Sequence, residues 1–320
     1  MLSIVQYGVD VAPNQALQRK VTITESELTA LQAMSVLHQR VRTLSGLRLA
    51  LSAALAGAGA LVTITNWSAP WVTIAGAFWA GLYSIGISSW VDDQLVRAVR
   101  LQEMFEVELF DLKWNEAAAG PTVSIADASR LSKKFKGKNI ADEWDEMPNL
   151  PKPFDSLARQ LQNLGWGSRI RHRYADAVFA GATIWVVLGA VVGVIGGFTV
   201  SAIIAGWYIP SLGGLLLGVD TVRQQRAIAK ERDRVFALAE KELLSAAKHP
   251  IDPLTVASLG TFSRQLQDVL FRTRCRAPRA PSRIFYLRYY KRDEGDFRAP
   301  VQQLLNALKA THPQTPPTAP

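Results

Sequence analysis

Four stretches of this chain are each about as long and as apolar as a helix that crosses a lipid bilayer. They run over residues 47–65 (LRLALSAALAGAGALVTIT), 71–90 (WVTIAGAFWAGLYSIGISSW), 177–198 (AVFAGATIWVVLGAVVGVIGGF) and 201–219 (SAIIAGWYIPSLGGLLLGV). A hydrocarbon core of about 30 Å needs roughly 20 apolar residues in helical form. Arg48 is the one formal charge inside the four stretches, close enough to an end for its side chain to snorkel to the headgroups. None shows the polar stripe of a buried helix in a water-soluble domain. The joints at 66–70 and around Thr199 are short and uncharged, so the stretches read as two hairpins. More than forty residues with polar runs precede the first stretch, unlike a cleavable leader.

Charge orients these spans. The chain has 36 Lys and Arg against 27 Asp and Glu, and no basic residue lies in either hairpin tip. Residues 1–48 carry 5 basic against 3 acidic residues, 91–176 carry 13 against 14, and 219–320 carry 18 against 10. The bias of Lys and Arg to the inner face places both termini and the middle segment in the cytoplasm. The expected organisation is an N-terminal cytoplasmic segment (1–46), hairpin 1 (47–90), a cytoplasmic helical segment (91–176), hairpin 2 (177–219), a C-terminal helical region (220–310) and a disordered tail (311–320). Apolar residues recur at helical spacing through the cytoplasmic parts, and little reads as strand, so the fold class is all-α and polytopic.

Small residues spaced by four, including Gly189, Gly193 and Gly197, let helix backbones approach, within one bundle or between the protomers of a homo-oligomer. Pro210 should kink the fourth span. Mid-membrane positions carry no ionisable residue, which argues against an ion-coupled transporter. Ser84, Ser88, Ser201, Tyr208 and Ser211 are candidates for a polar pore lining. Trp67, Trp71 and Trp90 mark interfaces, whereas Trp79, Trp185 and Trp207 lie deeper.

A basic run (Lys133, Lys134, Lys136, Lys138) followed by an acidic one (142–146) reads as a self-compensating solvated loop. The paired carboxylates Glu103 and Glu106 share a helix face, where Arg97 and Arg100 are their expected ion-pair partners. The densest basic cluster, Arg272, Arg274, Arg276, Arg279 and Arg283, reads as topology and lipid attraction or as a docking surface for a phosphate-bearing ligand. One cysteine and four histidines exclude a disulfide framework and make a multi-cysteine metal site untenable. There is no HExxH, phosphate-loop or GxSxG motif. No enzyme, cofactor, metal or nucleic-acid polymer is expected.

Four segments carry a family resemblance. LQEMFEVELFDLKWN holds Gln102, Glu103, Phe105, Phe110, Leu112, Trp114 and Asn115. RQLQNLGWGSRIRHRYA holds Asn163, Trp166, Arg171 and Tyr174. WYIP holds Trp207, Tyr208 and Pro210. LQDVLFRTRCRAPRAPSRIFYLRYYKRDE holds Gln267, Asp268, Pro281 and Tyr286. In this order around two hairpins they resemble the S-4TM pore-forming effectors of cyclic-oligonucleotide-based antiphage signalling (CBASS) and related conflict systems. Glu106, Gly206 and Ala280 depart from the family pattern. The resemblance implies an inner-membrane, multi-pass effector engaged by an infection cue such as a cyclic oligonucleotide from a partner nucleotidyltransferase. Assembly or opening would depolarise the membrane and abort infection. A constitutive channel with a regulatory cytoplasmic domain, and a non-conducting scaffold, remain the alternatives.

Overall fold

In the computed structural model of the chain, residues 18–82, 88–137, 140–141, 146–276 and 283–311 are described. Ser84, Arg279, Pro281 and the tail beyond Thr311 lie outside them. Helices α1 (Glu25–Ile64), α2 (Pro70–Leu82), α3 (Ser88–Leu109), α4 (Glu116–Ala119), α5 (Ile125–Ser132), α6 (Phe154–Ile195), α7 (Val200–Ile203), α8 (Ile209–Ala247), α9 (Pro253–Cys275) and α10 (Arg283–Thr311) make up almost all of it. Two three-residue strands, β1 (Gln18–Lys20) and β2 (Glu146–Pro148), pair antiparallel and tie the start of the described chain to the segment before α6. They are a small departure from the all-α expectation.

Three helices are long and apolar enough to cross a membrane: Glu25–Ile64, Phe154–Ile195 and Val200–Ala247. In each, only part is apolar, within the 47–65, 177–198 and 201–219 stretches. The remainder is polar and packs into a separate bundle. The second expected span, residues 71–90, is described only in part. Its helix, α2, has 13 residues and covers about 20 Å, short of a hydrocarbon core. Helix α3 is described from Ser88 and runs on through Asp92 and Asp93.

Turn chemistry fixes the hairpin tips. After α1, Asn66 adopts φ 52°, and the Trp67 N–H returns to the Val62 carbonyl at 3.1 Å. After α6, Gly197 takes φ 64°, and the Phe198 N–H returns to Gly193 at 3.0 Å. Both are left-handed helix endings, which favour Gly and Asn. Gly197 is therefore a turn residue, with open space within the chain where a Cβ would stand.

Close packing falls on other glycines. A Cβ on Gly59, Gly76 or Gly189 would collide with Pro210 or, for Gly189, with the Trp207 ring. Gly193 meets Ile203, whereas Gly57 and Gly81 face open space. Pro210 does not simply kink its helix. It has no N–H for the Gly206 carbonyl and would crowd it, and the preceding turn relaxes to a π-helical segment, Ile204–Tyr208. The Gly206 carbonyl is left beside Gly59 of α1, where a larger residue could not stand. Trp207 is 1% exposed and stacks on Trp185 with ring centroids 4.7 Å apart.

The outer surface of these apolar parts is hydrophobic: Leu61, Ile74, Phe78, Ile184, Val194 and Val200 are all more than half exposed. A contiguous apolar exterior of this kind belongs in lipid. Trp67, Trp71 and Trp90 stand exposed at stretch ends, and Trp79 is buried. Arg48 does not snorkel: it is 5% exposed, turned inward among the helices.

The polar bundle has two large apolar subcores and a smaller cluster in which Phe271 of α9 packs with Val41 of α1 and Leu95 and Val99 of α3. One large subcore joins Leu31, Met34 and Leu37 of α1, Leu101 and Phe105 of α3, and Leu131 of α5. The other joins Phe154 and Leu157 of α6, Leu243 of α8, Leu270 of α9 and Leu304 of α10. Thr24 starts α1 as a capping box with Glu27, and Asp252 caps α9 ahead of Pro253.

Gly76→Leu, at the contact with Pro210, should lower detergent-solubilised stability by about 1–3 kcal/mol through overpacking. Gly81→Leu should change it by less than about 0.5 kcal/mol. Thermal unfolding of both variants checks the packing; equal effects would contradict it.

Candidate functional site

The two subcores meet across a buried polar seam. Gln102, Glu103 and Glu106 of α3 are each no more than 1% exposed. Their partners come from far along the chain. Arg264 of α9 reaches Glu103 at 2.5 Å, and Arg274 of α9 reaches Glu106 at 2.6 Å. Gln267 lies between them and donates to both carboxylates, at 2.8 Å to Glu103 and 2.6 Å to Glu106. Gln102 donates to Glu106 at 2.8 Å.

Neighbouring groups extend the network. Gln160 of α6 donates to Gln267 at 3.1 Å, and Ser263 donates to Gln160 at 3.0 Å. Arg264 also pairs with Asp268 at 2.8 Å, and Asp268 accepts from the Asn115 amide at 2.9 Å. Asn115 meanwhile caps α4, accepting the Ala118 N–H. Trp114 donates to the Gly120 carbonyl at 3.0 Å.

Helical spacing makes this possible. Arg264, Gln267, Phe271 and Arg274 fall at i, i+3, i+7 and i+10, one face of α9. Glu103 and Glu106 share the opposing face of α3. The expected local pairing with Arg97 and Arg100 does not occur. Arg97 pairs with Asp127 at 3.0 Å, and Arg100 donates to the Ala119 carbonyl at 2.8 Å.

The two carboxylates differ in character. Burial would raise the Glu106 pKa, but the charge and hydrogen bond of Arg274, with Gln267 and Gln102, outweigh it and hold Glu106 below its ordinary value. Burial dominates at Glu103, helped by the nearby Glu106 charge, and raises it despite Arg264 and Gln267.

The seam thus collects Gln102, Glu103, Asn115, Gln267 and Asp268 from the motif residues. Phe105 turns into the α1 subcore, fully buried. Asn163 is buried on α6, and its carbonyl accepts from Arg232. Arg171 donates to Gln225 of α8 at 2.6 Å. Trp166 and Tyr174 are half-buried on α6. Tyr286 and Arg283 lie on α10.

The basic cluster read from the sequence is divided. Arg274 is buried against Glu106, while Arg272 and Arg276 are exposed. Two of the hydroxyls proposed as a pore lining are engaged on backbone carbonyls of the same chain. Tyr208 donates to the Val186 carbonyl at 2.8 Å, and Ser211 to Trp207 at 2.8 Å. Ser201 is exposed and bonds Thr199 at 3.1 Å. Ser88 stands at the start of α3.

Sequence reasoning missed Gln160, Ser263, Arg264 and Arg232. The polar stripe of Arg264, Gln267 and Arg274 on one face of α9 was the available signal for Arg264. Nothing local marks the others.

Apolar rods that run into a helical bundle locked by buried ion pairs are the architecture of a membrane protein with a large polar part. The chain belongs to the SMODS-associating 4TM effector domain family, whose profile matches residues 19–304. It is similar to a probable CBASS effector molecule of Bacillus cereus strain VD146, at 21% identity over 235 residues, covering 72% of this chain and 77% of the relative. No solved structure matches.

Glu106→Ala leaves Arg274 buried without its counter-charge and should cost about 3–5 kcal/mol, most of it recovered by the Glu106→Met/Arg274→Met double variant. A depressed carboxylate stabilises above its unfolded value and loses that stabilisation as pH falls. The stability gap between wild type and Glu106→Gln should therefore be full above about pH 4.5 and close below it, as read by denaturant unfolding.

Proposed function

We propose that this chain is a membrane effector of a bacterial antiphage system, triggered by an infection signal and acting by depolarising the inner membrane. Membership of the 4TM effector family and similarity to a probable CBASS effector support that role. The observation that carries the mechanism is the continuity of the rods. Phe154–Ile195 and Val200–Ala247 each begin or end in the polar bundle and pass into an apolar stretch without a break in helix. A helix transmits displacement along its axis, so a rearrangement in the bundle moves the spans directly.

In this reading the polar bundle and both termini are cytoplasmic, and α2 with the start of α3 completes a fourth span. The trigger is a cyclic oligonucleotide made by a partner nucleotidyltransferase. The hydroxyls of Tyr208 and Ser211 are occupied at rest, so the conducting path forms between protomers of a homo-oligomer or after the π-helical segment rearranges. Outward-facing Gly57 and Gly81 are free for such contacts. The chain does no covalent chemistry in this role.

A voltage-sensitive dye in cells carrying the complete defence locus tests this. Depolarisation is expected on phage infection only. Depolarisation without infection would point to a constitutive channel. Its absence in both states, with the protein in the membrane, would leave a non-conducting scaffold.

A further inference from the structure

A second polar cluster, partly buried at Arg171 and buried at Gln225 and Arg232, lies in the seam between α6 and α8, and its charges do not balance. Asn163, Gly167 and Arg171 fall at i, i+4 and i+8 on one face of α6, and Gln225 and Arg232 lie two turns apart on α8. Arg232 is 4% exposed. Its Nε donates to the Thr273 hydroxyl at 3.1 Å and its Nη1 to the Asn163 carbonyl at 3.4 Å. Its guanidinium fills the space that Gly167 leaves by having no side chain; a Cβ there would collide with Nη1. Arg171 Nη1 donates to Gln225, while its Nε is buried with no hydrogen-bond partner. Beside Thr273, Arg274 enters from α9.

Among the described residues, the acceptors met by Arg171 and Arg232 are all neutral. Glu106 pairs with Arg274 and its charge also favours the charged form of Arg232, though less than burial and the two arginines oppose it, and Glu103 is committed to Arg264. Asp233 sits at the rim, about half exposed, engaged by Ser168 and by His172 at 2.8 Å. The C-terminal carbonyls of α9 contribute at most about half a negative charge. A net positive charge is left in the interior, where an unpaired ion is costly. The cost shows in both guanidiniums. Burial, then the charge of Arg274, brings Arg171 down to about 10; burial, then Arg171 and Arg274, brings Arg232 well below its usual value. Planar guanidinium forks match the oxygens of a phosphate.

We propose that the α6–α8 seam around Arg171 and Arg232, with Arg274 beside them, is a binding site for a phosphate-bearing anion of the phosphodiester class. The inference deepens the effector reading above, for which it supplies the point of signal entry. Both arginines stand on helices that continue into the spans, so occupancy acts on the rods themselves. The same chemistry is offered by a soluble cyclic nucleotide and by an anionic lipid headgroup. Arg171 precedes the apolar stretch at 177 by six residues, about 9 Å along the helix, so experiment has to separate the two sources.

The test is thermal unfolding of the full-length chain in a neutral detergent. The probes are inorganic pyrophosphate, bis-(3′,5′)-cyclic diadenylate and phosphatidylglycerol, with sodium sulfate at equal ionic strength as the control. At least one phosphate probe should raise the melting temperature by about 5 °C at saturation, beyond sulfate. Arg171→Gln should abolish that rise, while the exposed Arg276→Gln keeps it. Gly167→Ala, which leaves every charge in place and only displaces the Arg232 guanidinium, should weaken it about tenfold in midpoint. A response to the soluble probes assigns the nucleotide source, and a response to phosphatidylglycerol alone assigns the headgroup.

Without any anion, Arg171→Gln should melt no lower than wild type, because it removes a like-charge contact; a merely structural arginine would lower it. No rise beyond sulfate from any probe, or a rise that survives Arg171→Gln, overturns the site. Binding without depolarisation in infected cells would remove the effector reading and leave the site. Infection-dependent depolarisation that persists in Arg171→Gln would do the reverse.

Discussion

Glu103 and Glu106 are buried side by side with two arginines and one glutamine from a helix more than 150 residues further along the chain. Two like charges in an apolar interior would repel and unfold it. Arg264 and Arg274 remove that repulsion, and Gln267, donating to both carboxylates, fixes their spacing. Such an arrangement tolerates little sliding: a shift of α9 by one residue would rotate all three partners off the face. The seam therefore sets the register of α3 against α9.

The rest of the molecule follows from that register. The α1–α3–α5 subcore and the α6–α8–α9–α10 subcore are each apolar and individually permissive about alignment. The polar seam aligns them, together with Phe271 of α9 packed with Leu95 and Val99 of α3, and Gln160 brings α6 into the same network. Because α1, α6 and the helix ending at Ala247 run on into apolar stretches, aligning the bundle also aligns the membrane parts. There the contacts are of a different kind: Gly59, Gly76 and Gly189 against Pro210 and Trp207, where fit is steric and not electrostatic. Charged pairs could not serve at that depth, and small residues can.

Apolar length and helical period made most of this legible from the sequence. The continuous helix from Phe154 through the third stretch, and the one running from the fourth stretch to Ala247, follow directly from them. The depth assigned to Trp79 and Trp207 follows from their place within a stretch. What was hidden depends on partners distant in sequence. Glu103 and Glu106 had arginines within helical reach, and only the fold shows that α9 supplies their counter-charges. The π-helical segment before Pro210 and the inward turn of Arg48 likewise reflect what neighbouring helices offer. Gly197 keeps the spacing from Gly193 that suits packing, and only the fold shows that the turn also requires its positive φ.

Hydrogen–deuterium exchange of the full-length protein and its Glu106→Ala variant in detergent addresses the alignment role of the seam most directly. If the seam aligns both subcores, the variant loses protection together in α3, α9 and the polar half of α6, residues 154–176. Loss confined to the few residues around position 106, with α6 and α9 still protected as in wild type, would contradict it.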